Sequence, residues 1–284
     1  MIESQLEIGG AVTFWSLADW SARTLLQTAL TDLGYAAFMP EPRAEAAVLK
    51  EALEEVLGGP RVLVRPLASR DGFAVVREER GLVGNNYANQ LIARVQEGHD
   101  PVFEPWTLEA KQIASAYRQQ LGRIPATQLS NALVKLIEAL GGTRLRPSGA
   151  VYWLPGHRLE EWFRIVQAVE QTAASRPNAV YVLRHRLDAE AVRAVRDAVV
   201  LEVQLEAQRL ATDVTTGDLG GRALETRKKQ LLSLRDKVNL YEDLLNVGLD
   251  GLHTVLDQAD QATATATLLL GSQMETANSP SLVG

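Results

Sequence analysis

The stretch LRPSGAVYWLP, residues 145–155, carries a proline, a serine and a glycine in front of an apolar run. Proline presets one backbone dihedral and glycine permits a positive φ, so the stretch predicts a β-hairpin that turns at 147–149. A similar run, AVYVL at 179–183, follows an amphipathic helix predicted over 157–175. Both runs have the pattern of buried strands, and a strand–helix–strand unit of this length usually places its strands in one sheet.

The residues before this hairpin predict more helices and strands. Two amphipathic helices are expected over 19–35 and 40–59, followed by a β-hairpin around Asp71-Gly72 and a third strand over 87–95. A loop with two prolines, 96–106, is the best candidate for a domain boundary. Helices over 107–122 and 127–142 then lead into the 145–155 hairpin, in the order of a winged helix.

From residue 188 the sequence is typical of long helices. Residues 188–213 contain no glycine or proline, and a second helical pattern resumes after the glycines at 217–221. The sequence therefore predicts an α+β fold: a mixed helical and antiparallel-strand body, then a long C-terminal antiparallel helical hairpin, or coiled coil. We expect four segments: an N-terminal α+β region at 1–100, a winged-helix-like or βαβ module at 101–187, the helical hairpin at 188–262, and a frayed tail at 263–284.

The second long helix carries an apolar seam with alternating spacings of three and four residues, as in a heptad repeat. This helix is predicted to extend about 14 residues, or about 21 Å, beyond its partner. The overhang would leave apolar side chains uncovered in a monomer, which predicts a homo-oligomer, most simply a dimer. The expected oligomerisation residues are Leu231, Leu234, Val238, Tyr241, Leu245, Leu252 and Val255.

Charge is unevenly distributed along a chain whose net charge is −6. Residues 120–186 carry nine basic and four acidic side chains, a net charge of +5, and this block contains the 145–155 hairpin. A winged helix grips DNA with its second helix and its hairpin. A nucleic-acid-binding module over 107–158, contacting DNA or RNA, is therefore the alternative function. Its expected contacts are Arg123, Lys135, Arg144, Arg146 and Arg158.

Several function classes have no motif in the sequence. The chain has no cysteine, which excludes thiolate catalysis and cysteine-ligated metals. It has no P-loop or Rossmann glycine pattern, no GxSxG, and no pair of histidines at metal-binding spacing. We therefore predict no enzyme activity, no catalytic or metal site, no cofactor and no small-molecule ligand. The N-terminus does not resemble a signal peptide, and no segment is long and apolar enough to span a bilayer, so we expect a cytoplasmic protein without a membrane partner.

The order of these parts resembles a family of uncharacterised proteins encoded by bacteria and their phages. The resemblance covers most of the chain and also includes VNLYEDLL at 238–245. It implies a phage or mobile-element setting, hence the host-cell cytoplasm, and supplies no catalytic residues. The residues that carry it are Leu145, Arg146, Pro147, Ser148, Gly149, Val151, Tyr152 and Pro155.

These observations favour a non-catalytic function. We expect an interaction or scaffold protein that self-assembles through its C-terminal coiled coil, with nucleic-acid binding by residues 107–158 as the alternative.

Overall fold

A computed structural model describes residues 9–80, 85–96, 98–146, 149–174, 176–217 and 219–277. Within these residues the chain has the α+β class that the sequence predicts. Its strands are β1 (Gly10–Ser16), β2 (Trp20–Ala22), β3 (Val62–Pro66), β4 (Gly72–Arg80), β5 (Asn85–Arg94), β6 (Val102–Glu104), β7 (Arg123–Pro125), β8 (Thr143–Arg144), β9 (Tyr152–Pro155) and β10 (Ala179–His185). Its helices are α1 (Arg23–Asp32), α2 (Glu45–Leu57), α3 (Leu108–Leu121), α4 (Ala126–Ala139), α5 (Leu159–Glu170), α6 (Ala189–Thr216), α7 (Gly221–Leu245) and α8 (Asp250–Ala277).

The chain forms two compact units, and neither is continuous in sequence. The bundle unit comprises the described parts of 1–16, 133–166 and 179–284, and the meander unit those of 17–132 and 167–178. This division differs from the four consecutive segments expected from the sequence. It arises because β1, at the start of the chain, pairs with both β9 and β10, which lie more than 130 residues later.

The meander unit contains an antiparallel sheet in the order β3-β4-β5-β6. Helices α2 and α3 share a buried apolar cluster with it, and the side chain of Thr107 caps α3 by accepting the N–H of Ala110 at 3.2 Å. A short pair, β2 with β7, also lies in this unit. The hairpin predicted around Asp71-Gly72 and the predicted third strand are thus present as β3, β4 and β5.

The bundle unit contains a sheet in the order β10-β1-β9-β8. β1 is antiparallel to both β9 and β10, so the two similar apolar runs share one sheet but are separated by β1. On one face, Trp162 of α5 donates its indole N–H to the hydroxyl of Thr13 at 3.2 Å. The other face packs Trp153 against the C-terminal helices, with its ring centre 5.7 Å from that of Tyr241.

The C-terminal region is a bundle of three helices, whereas the sequence predicts two. Helix α7 ends at Leu245 because Asn246 adopts the left-handed conformation (φ 49°), which asparagine tolerates better than most residues. The chain then reverses into α8. Ion pairs Asp213–Arg227 and Glu202–Lys237 show that α6 and α7 are antiparallel, because one partner number rises as the other falls.

Helix α8 continues to Ala277, so the frayed tail expected from residue 263 is wrong for residues 263–277; residues 278–284 lie outside the described part of the chain. Leu256 and Ala259, in the turns just before residue 263, are at most 2% exposed, so packing on the bundle anchors α8 at the point where fraying was expected to begin. Thr263 is also buried and returns its hydroxyl to the carbonyl of Ala259 at 2.9 Å, which satisfies its polar atom within the helix.

The expected winged-helix-like module at 107–158 is not a single structural module. β7 pairs with β2 in the meander unit, whereas β8 and β9 join the sheet of the bundle unit. The unit boundary falls inside α4, the helix expected to enter a DNA groove. Pro147 and Ser148, at the turn of the predicted hairpin, lie outside the described residues. On either side of them, Leu145 donates its N–H to the carbonyl of Val151 at 3.0 Å, as expected for a hairpin.

Candidate partner-binding groove

A cavity of about 770 Å³ lies in the bundle unit between α6, α7 and the β8–β9 hairpin. We call it the α6–α7 groove. Each helix contributes residues spaced by three or four positions, which is one face of an α-helix. Its lining includes Ala198, Leu201, Glu202, Leu205 and Glu206 from α6; Gln230, Ser233, Leu234, Lys237 and Leu240 from α7; Glu138 from α4; and Arg144, Leu145, Arg146 and Tyr152 from the hairpin.

Helix α6 carries two apolar stripes, and the protein buries only one of them. Val199 and Val203 belong to the stripe that faces the bundle core and are fully buried. Leu201 and Leu205, one turn apart on the groove side, are 42% and 57% exposed. A contiguous exposed apolar surface inside a concave site is typical of a place where something binds.

A partly buried polar network fixes the wall of the groove. The Nζ of Lys237 donates to Glu202 at 2.5 Å and to the carbonyl of Gly142 at 2.8 Å. Glu202 also accepts the hydroxyl of Thr143 at 2.5 Å, and Tyr241 donates its hydroxyl to the carbonyl of Gly141 at 2.9 Å. These bonds attach the chain between α4 and β9 to α6 and α7. The charged groups of Glu202 and Lys237 therefore bind to neighbouring parts of the protein and stabilise the wall of the groove.

Two ionisable groups at this wall have shifted pKa values. The pKa of Glu138 is raised, first by partial desolvation at the edge of the groove and then by the negative charge of Glu202, although its side chain remains accessible to solvent. Burial raises the pKa of Tyr241 well above its usual value of 10.0, and the charge of Glu202 acts in the same direction. Both side chains are thus held toward their neutral forms.

Two arginines of the β8–β9 hairpin line the groove. Arg144 donates to the hydroxyl of Tyr152 at 3.1 Å, and its guanidinium lies 5.5 Å from the centre of that ring. Arg146 is exposed beside it. Together they add positive charge to a lining that also contains the carboxylates of Glu202 and Glu206.

The five residues expected to contact nucleic acid do not belong to one unit. Arg123 lies in the meander unit with its guanidinium 4.4 Å from the ring centre of Trp20. Lys135, Arg144, Arg146 and Arg158 belong to the bundle unit, where Arg158 pairs with Glu161 at 2.9 Å. Only Arg144 and Arg146 line the groove together.

The seven expected oligomerisation residues are covered by the protein's own helices, which corrects that prediction. Six of them are at most 9% exposed and Val255 is partly buried against the same cluster. The premise of an overhang is wrong because the chain turns at Asn246, so α8 packs back along α7 and α6. The seam is therefore the intramolecular core of a three-helix bundle. Its members are Leu231, Leu234, Val238, Tyr241, Leu245, Leu252 and Val255.

The sequence alone predicts no groove role for Leu201, Leu205, Glu202 or Glu138. A signal for the two leucines exists: α6 carries more apolar residues than one core-facing stripe needs. Glu202 and Glu138 had no such signal, because their roles depend on contacts with residues far away in the sequence.

The described residues offer neither of two further kinds of site, a metal centre or a membrane-spanning helix. They contain no cluster of three or more histidine, aspartate or glutamate side chains arranged to hold a metal ion. None of the helices in that part of the chain combines the length and apolar character needed to cross a membrane.

The fold and groove define an α+β protein with a C-terminal three-helix bundle and an open, mixed apolar and charged groove beside it. The chain belongs to a family of unknown function (DUF6744), whose model matches residues 9–276. The match spans both units. No curated protein and no solved structure matches the chain.

Proposed function

We propose that this protein is a non-catalytic interaction protein that binds an amphipathic helix of a partner protein in the α6–α7 groove. The observation that carries the proposal is the second apolar stripe of α6, where Leu201 and Leu205 face the groove and remain exposed. Helix-in-groove recognition uses this arrangement, with apolar anchors at i, i+3, i+4 and i+7 on the bound helix.

The shape of the groove supports a helical occupant. Residues 230–240 of α7 line it, which corresponds to about 15 Å, or nearly three turns of helix. Ridges of side chains on α6 and α7 leave a furrow between them, and such furrows accept the ridge of another helix. A bound helix would complete a four-helix arrangement and cover the leucines.

The polar chemistry of the groove supports binding without catalysis. Glu202 and Lys237 neutralise each other and are also hydrogen-bonded to Thr143 and Gly142. Groups used in this way orient a binding surface, whereas a general acid or base must reach the reacting atoms. Arg144 and Arg146 add positive charge where the hairpin lines the groove, which favours a partner helix with an acidic residue facing the hairpin.

A displayed library of random peptides of roughly 15 residues, long enough for four helical turns, tests this proposal. The full-length protein is the bait, and the variant Leu201→Asp/Leu205→Asp is the counter-bait. We expect enriched peptides with apolar residues at helical spacing, bound at least about tenfold more tightly by the wild type. Leu25→Asp is the matched control, because Leu25 is 58% exposed in the meander unit.

Two results would contradict the proposal. One is a selection that enriches nothing with helical spacing. The other is a set of peptides that bind the wild type and the Leu201→Asp/Leu205→Asp variant equally. Circular dichroism of both variants verifies that the substitutions leave the helices intact.

Three other expectations from the sequence stay predictions: nucleic-acid binding, a cytoplasmic location, and a phage or mobile-element setting. The first is supported by the exposed Arg144 and Arg146 on the β8–β9 hairpin, and its test is described in the Discussion.

A further inference from the structure

A second cavity, of about 430 Å³, lies in the bundle unit between α7 and α8, and we call it the α7–α8 furrow. It shares no lining residue with the α6–α7 groove, so pairing at this furrow does not depend on the proposed function. Its lining comprises Lys228 and Leu232 of α7 and Asp260, Gln261, Thr263 and Ala264 of α8.

The furrow offers an exposed apolar surface. Leu232 is 60% exposed within it. Thr263 is buried and uses its hydroxyl inside α8, on the carbonyl of Ala259, so its polar group needs no partner from outside. Leu268 follows Ala264 by one turn on the same side of α8 and is 76% exposed. Exposed leucines along a concave surface are typical of a contact site.

Charge is divided between the two ends of the α7–α8 pair. Residues 221–229 of α7 carry four basic side chains and one acidic one, and residues 264–270 of α8 beside them carry none. At the other end, residues 250–260 of α8 carry three aspartates and no lysine or arginine. Residues 235–245 of α7 there carry three acidic and two basic side chains. One end of the pair is therefore positive and the other negative.

Contacts beside the furrow agree with this division. Arg235 lies 2.7 Å from both Asp257 and Asp260, so one cation serves two carboxylates and the group keeps a net negative charge. Toward the other end, Lys228 pairs with a glutamate of α7 at 3.2 Å. The exposed Lys229 next to it has no ionic partner among the described residues.

We propose that the α7–α8 furrow packs against the same furrow of a second copy of this chain, with the helices of the two copies antiparallel about a twofold axis beside Leu232. The positive end of each copy then lies over the negative end of the other, and such complementarity fixes the orientation of a contact. A parallel pair would place like-charged ends together. Contact of one surface with itself about a twofold axis is the commonest arrangement of homo-oligomers.

The length of α8 favours the same orientation. α7 begins at Gly221, where a methyl group would lie 3.9 Å from the Cδ2 of Leu270. The backbone of α8 continues as a helix for seven more residues, about 10 Å, to Ala277. In the antiparallel pair this extension lies alongside the start of α8 in the second copy, whereas in a parallel pair both extensions project past the bundles. Helices gain most of their stability from packing, so the antiparallel pair stabilises the extension.

Mass measurement tests the pairing directly. Sedimentation of the full-length chain across a concentration series is expected to show a species of twice the 31.0 kDa chain mass. Leu232→Lys places two charges at the twofold axis and is expected to give a monomer. Leu205→Lys is the matched control: Leu205 is 57% exposed but lies in the α6–α7 groove, so this variant is expected to remain dimeric.

Cysteine cross-linking tests the orientation, and the chain has no cysteine of its own. Leu232→Cys places two thiols at the axis, where a disulfide can form. Leu268→Cys is the control, because Leu268 lies seven residues beyond Gln261 of the furrow. Its two copies would be about 21 Å apart along antiparallel helices but side by side in a parallel pair. Oxidation is expected to yield covalent dimers at least about tenfold faster for Leu232→Cys.

Three outcomes would overturn the inference: a monomer at every concentration, a dimer that Leu232→Lys leaves unchanged, or equally fast cross-linking of the two cysteine variants. Circular dichroism verifies that Leu232→Lys keeps its helices, and the cross-linking measurement does not depend on that variant.

Discussion

The Nζ of Lys237 on α7 lies 2.5 Å from the Oε1 of Glu202 on α6, at the wall of the α6–α7 groove. The Lys237 side chain is 12% exposed and that of Glu202 is 30% exposed. Through its bonds to Thr143 and Gly142, the pair also connects the two helices to the chain leading into the β8–β9 hairpin. The shape of the groove therefore depends on an ion pair that solvent screens only partly.

Removing one member of this pair should destabilise the protein more than removing both. Lys237→Met leaves Glu202 facing the groove without its cation, and we expect the free energy of unfolding to fall by about 2 kcal/mol, less than for a fully buried pair because of the exposure of Glu202. Lys237→Met/Glu202→Gln should recover at least half of that loss. Urea denaturation of the three proteins measures the difference. Additive losses in the double variant would show that the pair does not couple.

The buried seam gives a prediction that separates stability from assembly. Leu252→Ala removes a side chain that is 2% exposed in the bundle core, and we expect it to lower the free energy of unfolding by about 3 kcal/mol. Because the seam is intramolecular, the mass of the native protein should not change. Leu25→Ala, at a position 58% exposed, is the control and should cost at most about 0.5 kcal/mol. A change in native mass with Leu252→Ala would restore the seam as an interface between chains.

The sequence predicts the α+β class and most of the elements, because these depend on local signals. Thr107 and Asp188 have the side chains of helix caps and do cap α3 and α6. The seam is apolar, as predicted. Its periodicity predicts that these side chains are buried, but it does not show whether they are buried against the same chain or against another copy. The sequence pattern did not show that Asn246 has a left-handed φ. This conformation ends α7, so the one expected helix is present as two, α7 and α8.

The groove was less predictable than the fold for a physical reason. Leu201 and Leu205 face the groove because Val199 and Val203, on another side of α6, pack in the bundle core. Which side of α6 packs inward depends on tertiary contacts and not on the local sequence. Glu202 and Thr143 are 59 residues apart in the sequence. No local pattern joins them, so their contact follows only from the three-dimensional arrangement.

Glu138 should make the protein less stable as the pH rises. Its pKa in the folded protein is raised above the ordinary 4.5, so the fold disfavours its charged form. The favourable contribution is fully present below pH 4.5 and is lost as the pH rises through the folded pKa. We expect Glu138→Gln to have a higher Tm than the wild type at pH 7, with the difference vanishing below pH 4. Differential scanning calorimetry at a series of pH values measures this. A Tm difference that is constant with pH would contradict the assignment.

Glu242 should show the opposite sign. Its carboxylate accepts the N–H of Leu249 at 2.6 Å and lies 3.1 Å from the Nε2 of His253, and these hydrogen bonds lower its pKa below 4.5. Its contribution is present above the unfolded pKa of 4.5 and is lost as the pH falls through the folded pKa. We expect Glu242→Gln to melt about 2–4 °C below the wild type at pH 7, the effect of roughly 1 kcal/mol in a chain of this length. The gap should close on acidification, and a gap that widened would refute the role of the carboxylate as a cap between α7 and α8.

Binding to DNA distinguishes the interaction function from its nucleic-acid alternative. The chain has a net charge of −6, and the five basic residues expected to contact nucleic acid are divided between the two units. We therefore expect the wild type and Arg144→Ala/Arg146→Ala to bind duplex DNA equally weakly in fluorescence anisotropy. Two phosphate contacts at Arg144 and Arg146 would instead give a salt dependence whose slope the double variant reduces by about 2. Arg164→Ala is the control, since Arg164 pairs with Glu160 at 2.7 Å away from the groove lining. A steep salt dependence that only Arg144→Ala/Arg146→Ala abolishes would replace the helix-binding proposal with nucleic-acid recognition by the β8–β9 hairpin.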